Sequence, residues 1–551
     1  MRSTFFLLFF LFFVITLFAQ KVAMNDVYSV KDAFEQKYGL VGSKYNEIPI
    51  ILKNDTLAFV FSYKTEFVVV STYKQLPPIK VYSLENAFPT TKESNISFED
   101  IIADDLYGFL HQPESKSKNE SYKSKNSQRW DKIKNYGIVS SKSQYGPFLE
   151  NLYGQVNCKN NLGNTVNVTN YYTPSNYAAG CVAITFVELL QYHQWPRRGV
   201  GSHTYSDNYG STKGSHSADF EKKYYNWAFI LNEYHHKSTS SKERAALGNL
   251  TYHCAVSVNM DFEYNGSTSN INRIPNAARK HFRFTSRYLE KSNSAFWPAV
   301  DQSIIKGLPV QFAIYTPSGA GHAVVGDGLK PNEDLYHLNM GWWGSTNAWY
   351  TIQGSFNAGG YTNITAAVVD FIPIAEIAEP EIDIENETVD LKWYYPTTIT
   401  PDAYHLQVKV GVLQWEDVDS SISDNSFSYD YKNDEVHRFR VKAKVFGNWV
   451  DDSWSEFGEI DIKNELSKSL PSELAVYPTI VLDKITIESK YMANSIIEIF
   501  STTGLRVYFN EIPSSFSKSS LIVDLSFLSK GMYILRLTNE NEIQTSTIIK
   551  L

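Results

Sequence analysis

The chain has 551 residues, of which 43% are hydrophobic and 20% charged, and its net charge is −8. Because single hydrophobic cores stop growing at ~250–300 residues, we expect several domains. The composition excludes wholesale disorder, and three cysteines are too few for a disulfide framework. The slightly negative charge argues against nucleic acid as a partner.

The N-terminus has the pattern of a secretory signal peptide. Arg2 precedes an apolar run over residues 5–18, which is followed by the small-residue cleavage pattern Ala19-Gln20. The run is shorter than the ~20 residues of a membrane span, so we predict that residues 1–20 are removed rather than kept as an anchor helix. The sequence predicts no membrane span in the mature protein.

Residues 21–113 read as a small α+β domain. Strand patterns cover residues 57–61 and 67–70, and a helical pattern covers residues 30–38. The next segment, residues 114–134, is rich in Lys, Ser and Asn and has almost no apolar residues. We interpret it as an exposed linker that proteases can cut, which makes the first domain removable.

Residues 135–373 form a mixed α and β segment that contains all three cysteines. Its strongest helix begins at Cys181 and is expected to stop before Pro196. Beyond it, alternating apolar and polar residues predict two β-sandwich domains, residues 374–465 and residues 466–551. The predicted architecture is therefore a multidomain chain with an α+β centre.

Cys181 is placed as a nucleophile could be, at the start of a predicted helix. The positive end of the helix dipole favours the thiolate, which is the form of cysteine that attacks carbonyl groups. The alternative, and the more common fate of a free cysteine, is a small buried apolar residue.

His322 is the candidate base for this nucleophile. It follows Cys181 by 141 residues, in the cysteine-then-histidine order of papain-like enzymes. Downstream, Asn339 could orient the imidazole and the Trp342 indole could exclude water, while upstream Gln155 could donate to an oxyanion. Taken singly, His322 could be a core histidine and Gln155 an exposed glutamine. Asn339 and Trp342 could belong to a core aromatic cluster beside a turn.

Several motifs together resemble the streptopain-like cysteine peptidases, a papain-fold family of secreted bacterial enzymes. They are Ala178-Ala179-Gly180-Cys181-Val182-Ala183, Gln191-Tyr192-His193, Tyr225-Asn226-Trp227, residues 256–262, Gly321-His322-Ala323, Asp327-Gly328 and Tyr336-His337-Leu338-Asn339. The resemblance implies that residues 135–373 are a papain-like catalytic domain. It also implies that Cys181 is the nucleophile, His322 the base, Gln155 part of the oxyanion hole and Trp342 the shield.

The same resemblance gives roles to the flanking domains. Residues 21–113 look like an inhibitory propeptide, and residues 374–465 are similar to fibronectin type III modules. Residues 466–551 resemble the sorting domains of the type IX secretion system, through motifs such as Val476-Tyr477-Pro478 and the terminal Ile548-Ile549-Lys550. This implies passage through the periplasm and across an outer membrane, followed by release or surface attachment.

The sequence therefore predicts a secreted cysteine endopeptidase made as a zymogen. The expected partners are protein or peptide substrates, the chain's own propeptide and the type IX secretion machinery, with no metal and no cofactor. Two alternatives remain: a catalytically inactive surface adhesin, and a transglutaminase-like acyl transferase that uses the same Cys181 and His322 pair.

Overall fold

The computed structural model describes most of the chain. The described residues are 19–89, 98–111, 117–138, 143–207, 210, 212–222, 224–264, 266–316, 319–353, 361, 363–450, 453–469, 474–489, 492–539 and 543–551. The apolar run of the predicted signal peptide, residues 5–18, lies outside them. The chain divides into two compact units: one runs to Ile374 and takes in two short later segments, and the other comprises the remainder.

The first unit contains seven of the helices that the structure describes and fourteen strands. The helices are α1 (Met24–Tyr38), α2 (Phe98–Leu110), α3 (Ser117–Tyr136), α4 (Cys181–His193), α5 (Ser241–Ser257), α6 (Ile274–His281) and α7 (Phe296–Ile305). The strands are β1 (Asn46–Leu52), β2 (Asp55–Ser62), β3 (Phe67–Ser71), β4 (Ile79–Ser83), β5 (Cys158–Lys159), β6 (Thr165–Val166), β7 (Ser202–Asp207), β8 (Gly214–Asp219), β9 (Phe284–Glu290), β10 (Val310–Tyr315), β11 (Gly321–Lys330), β12 (Leu335–Asn339), β13 (Ala348–Thr351) and β14 (Asn363–Pro373).

One ten-stranded sheet runs through this unit in the order β1-β2-β3-β4-β13-β12-β11-β10-β14-β9. Strands β1–β4 come from the predicted propeptide, and the other six come from the predicted catalytic segment. The two groups meet where β4 pairs antiparallel with β13, through Tyr82 opposite Trp349 and Val81 opposite Tyr350. The strand and helix patterns predicted for the first domain are confirmed, but its sheet continues into that of the next segment.

Ion pairs and hydrogen bonds add to this pairing at the hairpin between β11 and β12. Lys37 of α1 pairs with Glu333 at 2.9 Å, and Lys125 of α3 pairs with Asp334 at 2.6 Å. The ammonium group of Lys330 donates to the Tyr38 hydroxyl at 3.1 Å and also to the Tyr82 hydroxyl. The first domain therefore holds the catalytic segment through strand pairing and side chains together.

The prediction that residues 114–134 form an exposed linker is wrong for the described part, because Ser117–Tyr136 is the helix α3. Tyr122, Asn126, Trp130 and Ile133 recur at helical spacing, and Asn126 and Trp130 are buried. The Trp130 indole N–H donates to the Leu76 carbonyl at 3.0 Å. The abundant polar residues concealed this narrow buried stripe.

The second unit contains two β-sandwiches, as the alternating patterns predicted. Residues 374–465 carry β15 (Glu376–Ile377), β16 (Glu381–Asp383), β17 (Thr388–Tyr394), β18 (Ala403–Val410), β19 (Glu416–Ile422), β20 (Ser426–Asp430), β21 (Val436–Val445), β22 (Asn448–Trp449) and β23 (Gly458–Asp461), followed by α8 (Ile462–Ser469). One sheet contains β15, β16, β17 and β20, and the other contains β18, β19, β21, β22 and β23.

The last sandwich also consists of two sheets. Its strands are β24 (Ala475–Tyr477), β25 (Ile480–Val481), β26 (Lys484–Glu488), β27 (Ser495–Ser501), β28 (Arg506–Ile512), β29 (Ser520–Asp524), β30 (Gly531–Thr538) and β31 (Ile543–Lys550). The sheet orders are β24-β26-β29 and β25-β31-β30-β27-β28. Buried Ile485, Ile497, Leu535 and Ile548 contribute to the core. No helix in the described ranges is long and apolar enough to cross a membrane.

Candidate active site

Cys181 is the first residue of α4, as the sequence predicted, and the chain reaches it through Gly180. Gly180 has a φ of +86°, and a Cβ atom there would lie 2.5 Å from the Met260 sulfur and 3.1 Å from the Ser267 carbonyl oxygen. Only glycine fits both the backbone conformation and this close approach. Gly180 thereby allows the helix to begin with the Cys181 thiol beside β11.

His322 lies near the start of β11 and its ring is buried. Its Nε2 is 2.9 Å from the backbone carbonyl oxygen of Met340. A carbonyl only accepts hydrogen bonds, so Nε2 carries the proton and Nδ1 of the neutral ring is an acceptor. The Met340 N–H in turn donates to the Asn347 side-chain oxygen at 2.9 Å, which holds the peptide that orients His322.

The backbone brings the Cys181 sulfur next to His322. The N–H of Ala323, the residue that follows His322, lies near the Cys181 sulfur and lowers the pKa of the thiol, as do the N–H groups of Cys181 and Val182. Burial and, to a smaller degree, a charge on Cys181 raise the pKa of Tyr361 to about 12, and its ring stacks on His322 with centroids 5.2 Å apart. The structure thus assembles the thiol and imidazole that are 141 residues apart in the sequence.

Desolvation disfavours the charged forms of both groups, although the Cys181 side chain keeps some exposure to solvent. Burial raises the pKa of the Cys181 thiol and outweighs the lowering by the three backbone N–H groups. Burial also lowers the pKa of His322 to about 4, against a smaller raising effect of its hydrogen bond to Met340. The thiolate predicted from the helix dipole is therefore not favoured here, because desolvation dominates.

Trp342 and Gln155 lie in one cleft beside this pair. The Trp342 ring stacks on His322 with centroids 4.9 Å apart and an interplanar angle of 18°. Gly154, which precedes Gln155, forms a backbone bridge with Trp342, and the Gln155 carbonyl accepts from the Ala179 N–H at 2.7 Å. Both residues line a cleft of about 400 Å³. Four of the five predicted site residues are thus brought together.

Asn339 is the exception, and the prediction that its amide orients His322 is corrected. Its side-chain N–H donates to the Asn151 carbonyl at 2.9 Å, and its side-chain oxygen accepts from the Gly341 N–H at 3.1 Å. The Met340 carbonyl makes the orienting hydrogen bond to His322 instead. Asn339 acts one step away, by fixing the turn that follows β12.

A buried carboxyl group lies on the catalytic helix, two turns after Cys181. Glu188 is fully buried, and neither of its side-chain oxygens has a hydrogen-bond partner among the described residues. Burial, together with the charge of Asp327, raises its pKa well above the ordinary value. Asp327, by contrast, accepts from the N–H groups of Phe148 and Leu149 at 3.1 and 2.9 Å and from His337 at 2.6 Å. Burial therefore favours the protonated form of Glu188, against a smaller lowering of its pKa by the Tyr153 N–H.

Sequence reasoning missed Met340, Asn347, Tyr361 and the Ala323 N–H. The contributions of Met340 and Ala323 come from the backbone, which has no signature in residue type. Asn347 and Tyr361 are a polar residue and an aromatic residue without a distinguishing motif. Within the described ranges, no group of three or more His, Cys, Asp or Glu side chains is arranged to hold a metal ion.

Comparisons with known proteins match two parts of the chain. Residues 153–350 match the Peptidase C10 family, and residues 475–551 match the Secretion system C-terminal sorting domain. Streptopain from Streptococcus pyogenes is 25% identical over 345 residues, which cover 57% of this chain and 80% of that protein. The matched regions include Cys181, His322, Gln155 and Trp342.

Two solved structures are also similar. A mutant fragment of prointerpain A from Prevotella intermedia is 20% identical and covers 59% of this chain and 98% of its own, with a TM-score of 0.42. The active wild-type interpain A cysteine protease from the same organism is 26% identical and covers 41% of this chain and 95% of its own, with a TM-score of 0.36.

The C-terminal match indicates that the protein is secreted or placed at the cell surface. The residues that carry the Cys181 and His322 pair fall inside the peptidase match, and the last β-sandwich falls inside the sorting-domain match. Residues 153–350, which include Cys181 and His322, are thus similar to the Peptidase C10 family.

Proposed function

We propose that the protein is a secreted cysteine endopeptidase made as a zymogen, in which Cys181 is the nucleophile and His322 the general base and acid. The observation that carries this proposal is the local geometry. Nε2 of His322 donates to the Met340 carbonyl, which leaves Nδ1 as the acceptor, and the Cys181 sulfur at the start of α4 lies near the backbone N–H of Ala323, the residue that follows His322.

The reaction follows from these positions. Nδ1 of His322 takes the Cys181 proton as the sulfur attacks the peptide carbonyl, and the resulting tetrahedral intermediate carries an oxyanion. When the C–N bond breaks, the imidazolium gives that proton to the leaving amine. A water molecule deprotonated by His322 then attacks the thioester, and the proton returns to sulfur as the acid product leaves.

We further propose that Gln155 and the Cys181 N–H stabilise the oxyanion. The Gln155 backbone is fixed by its bond to the Ala179 N–H, and its side chain borders the cleft that also contains Trp342. Loss of one oxyanion donor typically lowers kcat by 10²–10³-fold. Trp342, stacked on His322, covers the imidazole from water.

The zymogen part of the proposal rests on the shared sheet. Residues 21–113 pair with β13 through β4, and α3 packs on the same domain through Trp130. Cleavage on the C-terminal side of α3, between Tyr136 and Gly146, would release α3 together with the propeptide. Desolvation raises the pKa of Cys181 and lowers that of His322, which disfavours the charged pair and is consistent with a latent form.

The test compares Cys181→Ala and His322→Ala with Cys158→Ala, each purified as the full chain and then cleaved after α3 by an added protease. The first two variants should lose hydrolysis of a fluorogenic peptide to the same extent. The double variant should hydrolyse the peptide no more slowly than either single variant, because the two groups act as one unit. Cys158→Ala should retain hydrolysis. Full hydrolytic activity of Cys181→Ala would refute the proposal. If the parent enzyme incorporated a labelled amine in preference to hydrolysing the peptide, it would be an acyl transferase instead.

A further inference from the structure

A row of cations lies on one face of the first β-sandwich, along β21. Arg438, Arg440, Lys442 and Lys444 alternate with buried residues of this strand, so all four project from the same face. At about 3.4 Å per residue, the row is about 20 Å long. We call these four residues the cation row.

Indole rings lie between the charged groups of the cation row. The Arg440 guanidinium is 4.2 Å from the Trp415 ring centre and 4.4 Å from that of Trp454. The Lys442 ammonium is 4.6 Å from Trp454 and 5.6 Å from Trp449. The Lys444 ammonium is 5.9 Å from Trp449. These are cation–π contacts that fix the position of each charge.

This fixation favours binding of an anion. Arg440 is held further by two hydrogen bonds to the Gln407 side-chain oxygen, at 2.9 and 2.7 Å. A cation that is already ordered loses little side-chain entropy when it binds a ligand. Burial against the rings also lowers the pKa of Arg440, an indication of partial desolvation, and desolvation strengthens its attraction to a negative charge.

The positive charge is concentrated in this row. Across residues 374–465, Asp and Glu outnumber Lys and Arg, yet four of the Lys and Arg residues stand in a line on β21. Glu459 pairs with Arg438 at one end, at 2.6 Å, and Asp417 accepts from His405 at 2.7 Å beside the row. The middle and far end of the row instead contact indole rings.

The shape and chemistry of the cation row favour one class of ligand. A length of about 20 Å with several fixed charges suits an elongated polyanion better than a small ion. Single-stranded nucleic acid stacks its bases on aromatic faces, whereas these indoles have cations over their rings. Protein partners usually meet an apolar centre, whereas the centre of this face is cationic. An acidic polysaccharide has regularly spaced carboxylates along a stiff chain, and the sorting domain delivers the protein to the cell exterior, where such chains occur.

We propose that the cation row with Trp415, Trp449 and Trp454 is a binding site for an acidic polysaccharide. The site lies outside the peptidase segment, so it is independent of the proposed peptidase activity. It would hold the enzyme against a carboxylated glycan while the peptidase segment acts on protein.

The test measures binding of the full chain to fluorescently labelled galacturonic acid oligomers, with neutral maltose oligomers and poly-glutamate of matched length as competitors. We expect the uronate oligomer to bind at least tenfold more tightly than either competitor, and its affinity to fall as salt rises. Lys442→Gln/Lys444→Gln should weaken binding at least fivefold. Lys392→Gln, an exposed lysine on β17 of the other sheet, should change binding less than twofold.

Lys442→Arg/Lys444→Arg keeps the charges and should restore binding, which separates loss of charge from loss of fold. Thermal unfolding of each variant and hydrolysis by the processed enzyme provide a second check, and both should match the parent protein. Absence of uronate binding at millimolar concentration, or equal binding of poly-glutamate, would overturn the proposal. So would an undiminished affinity of Lys442→Gln/Lys444→Gln.

Discussion

Removing the Trp130 side chain should weaken the hold of the propeptide on the peptidase segment. Trp130 is 1% exposed and packs in one cluster with Phe34 and Tyr82 of the propeptide and with Leu335 and Trp349 of the peptidase segment. Its indole N–H also donates to the Leu76 carbonyl. Trp130→Ala deletes these contacts and leaves that carbonyl without this donor.

The size of the effect follows from the burial. Replacing a buried tryptophan by alanine typically costs about 3–5 kcal/mol. If half of that loss falls on the contact with the peptidase segment, docking weakens by about 1.5–2.5 kcal/mol, which is roughly 10- to 70-fold. We therefore expect the Trp130→Ala chain to be processed faster than the parent chain. It should also hydrolyse a fluorogenic peptide before any cleavage of the chain is visible on a gel.

The control is Lys132→Ala, an exposed position on the same helix, which should behave as the parent chain. Trp130→Phe should fall between the parent and Trp130→Ala, because it keeps part of the buried ring. A Trp130→Ala chain that remains folded but is as latent and as slowly processed as the parent would refute the reasoning that α3 helps to hold the propeptide.

Three further predictions concern the site. Because burial raises the pKa of Cys181, iodoacetamide should alkylate it slowly at pH 7 in the uncleaved chain and faster as the pH is raised; equal rates at pH 7 and pH 9 would contradict this. Trp342→Ala should lower kcat at least tenfold, because the ring that stacks on His322 is lost, whereas Trp342→Phe should keep most of the parent kcat. An unchanged kcat in Trp342→Ala would contradict the shielding role. Folding raises the pKa of Glu188, so the folded protein keeps a proton that the unfolded chain releases above its ordinary pKa of about 4.3, and stability is lost as the pH rises. Glu188→Gln should therefore stabilise the uncleaved chain more at pH 8 than at pH 4, by about 1.4 kcal/mol for each unit by which folding raises the pKa; equal effects at both pH values in denaturant unfolding would contradict it.

The sequence allowed the core of the site to be predicted because its chemistry resides in side chains. Cys181 at a helix start and His322 after a glycine are visible in the residue order, and so are the alternating strands of the two sandwiches. Trp342 could also be anticipated from the aromatic cluster after β12. These features depend on residue type and local spacing.

Other features depend on contacts between distant segments and could not be predicted in the same way. The pairing of β4 with β13 joins strands that are more than 250 residues apart in the sequence, and the Met340 carbonyl that orients His322 is a backbone group common to every residue type. The helix α3 was mistaken for a linker because its single buried stripe is diluted by Lys, Ser and Asn. The raised pKa of Cys181 follows from desolvation, which only the folded chain reveals.

The central claim, that Cys181 and His322 hydrolyse peptides together, is tested most directly by titrating the processed enzyme with a thiol-directed epoxide. Residual hydrolysis and the labelled residue are measured in the same samples, the second by mass spectrometry. The account predicts that activity falls in proportion to labelling at Cys181, reaches zero at one label per chain, and that His322→Ala is labelled far more slowly. Hydrolysis that persists after Cys181 is fully labelled, or labelling of Cys158 or Cys254 in parallel with the loss of activity, would contradict it.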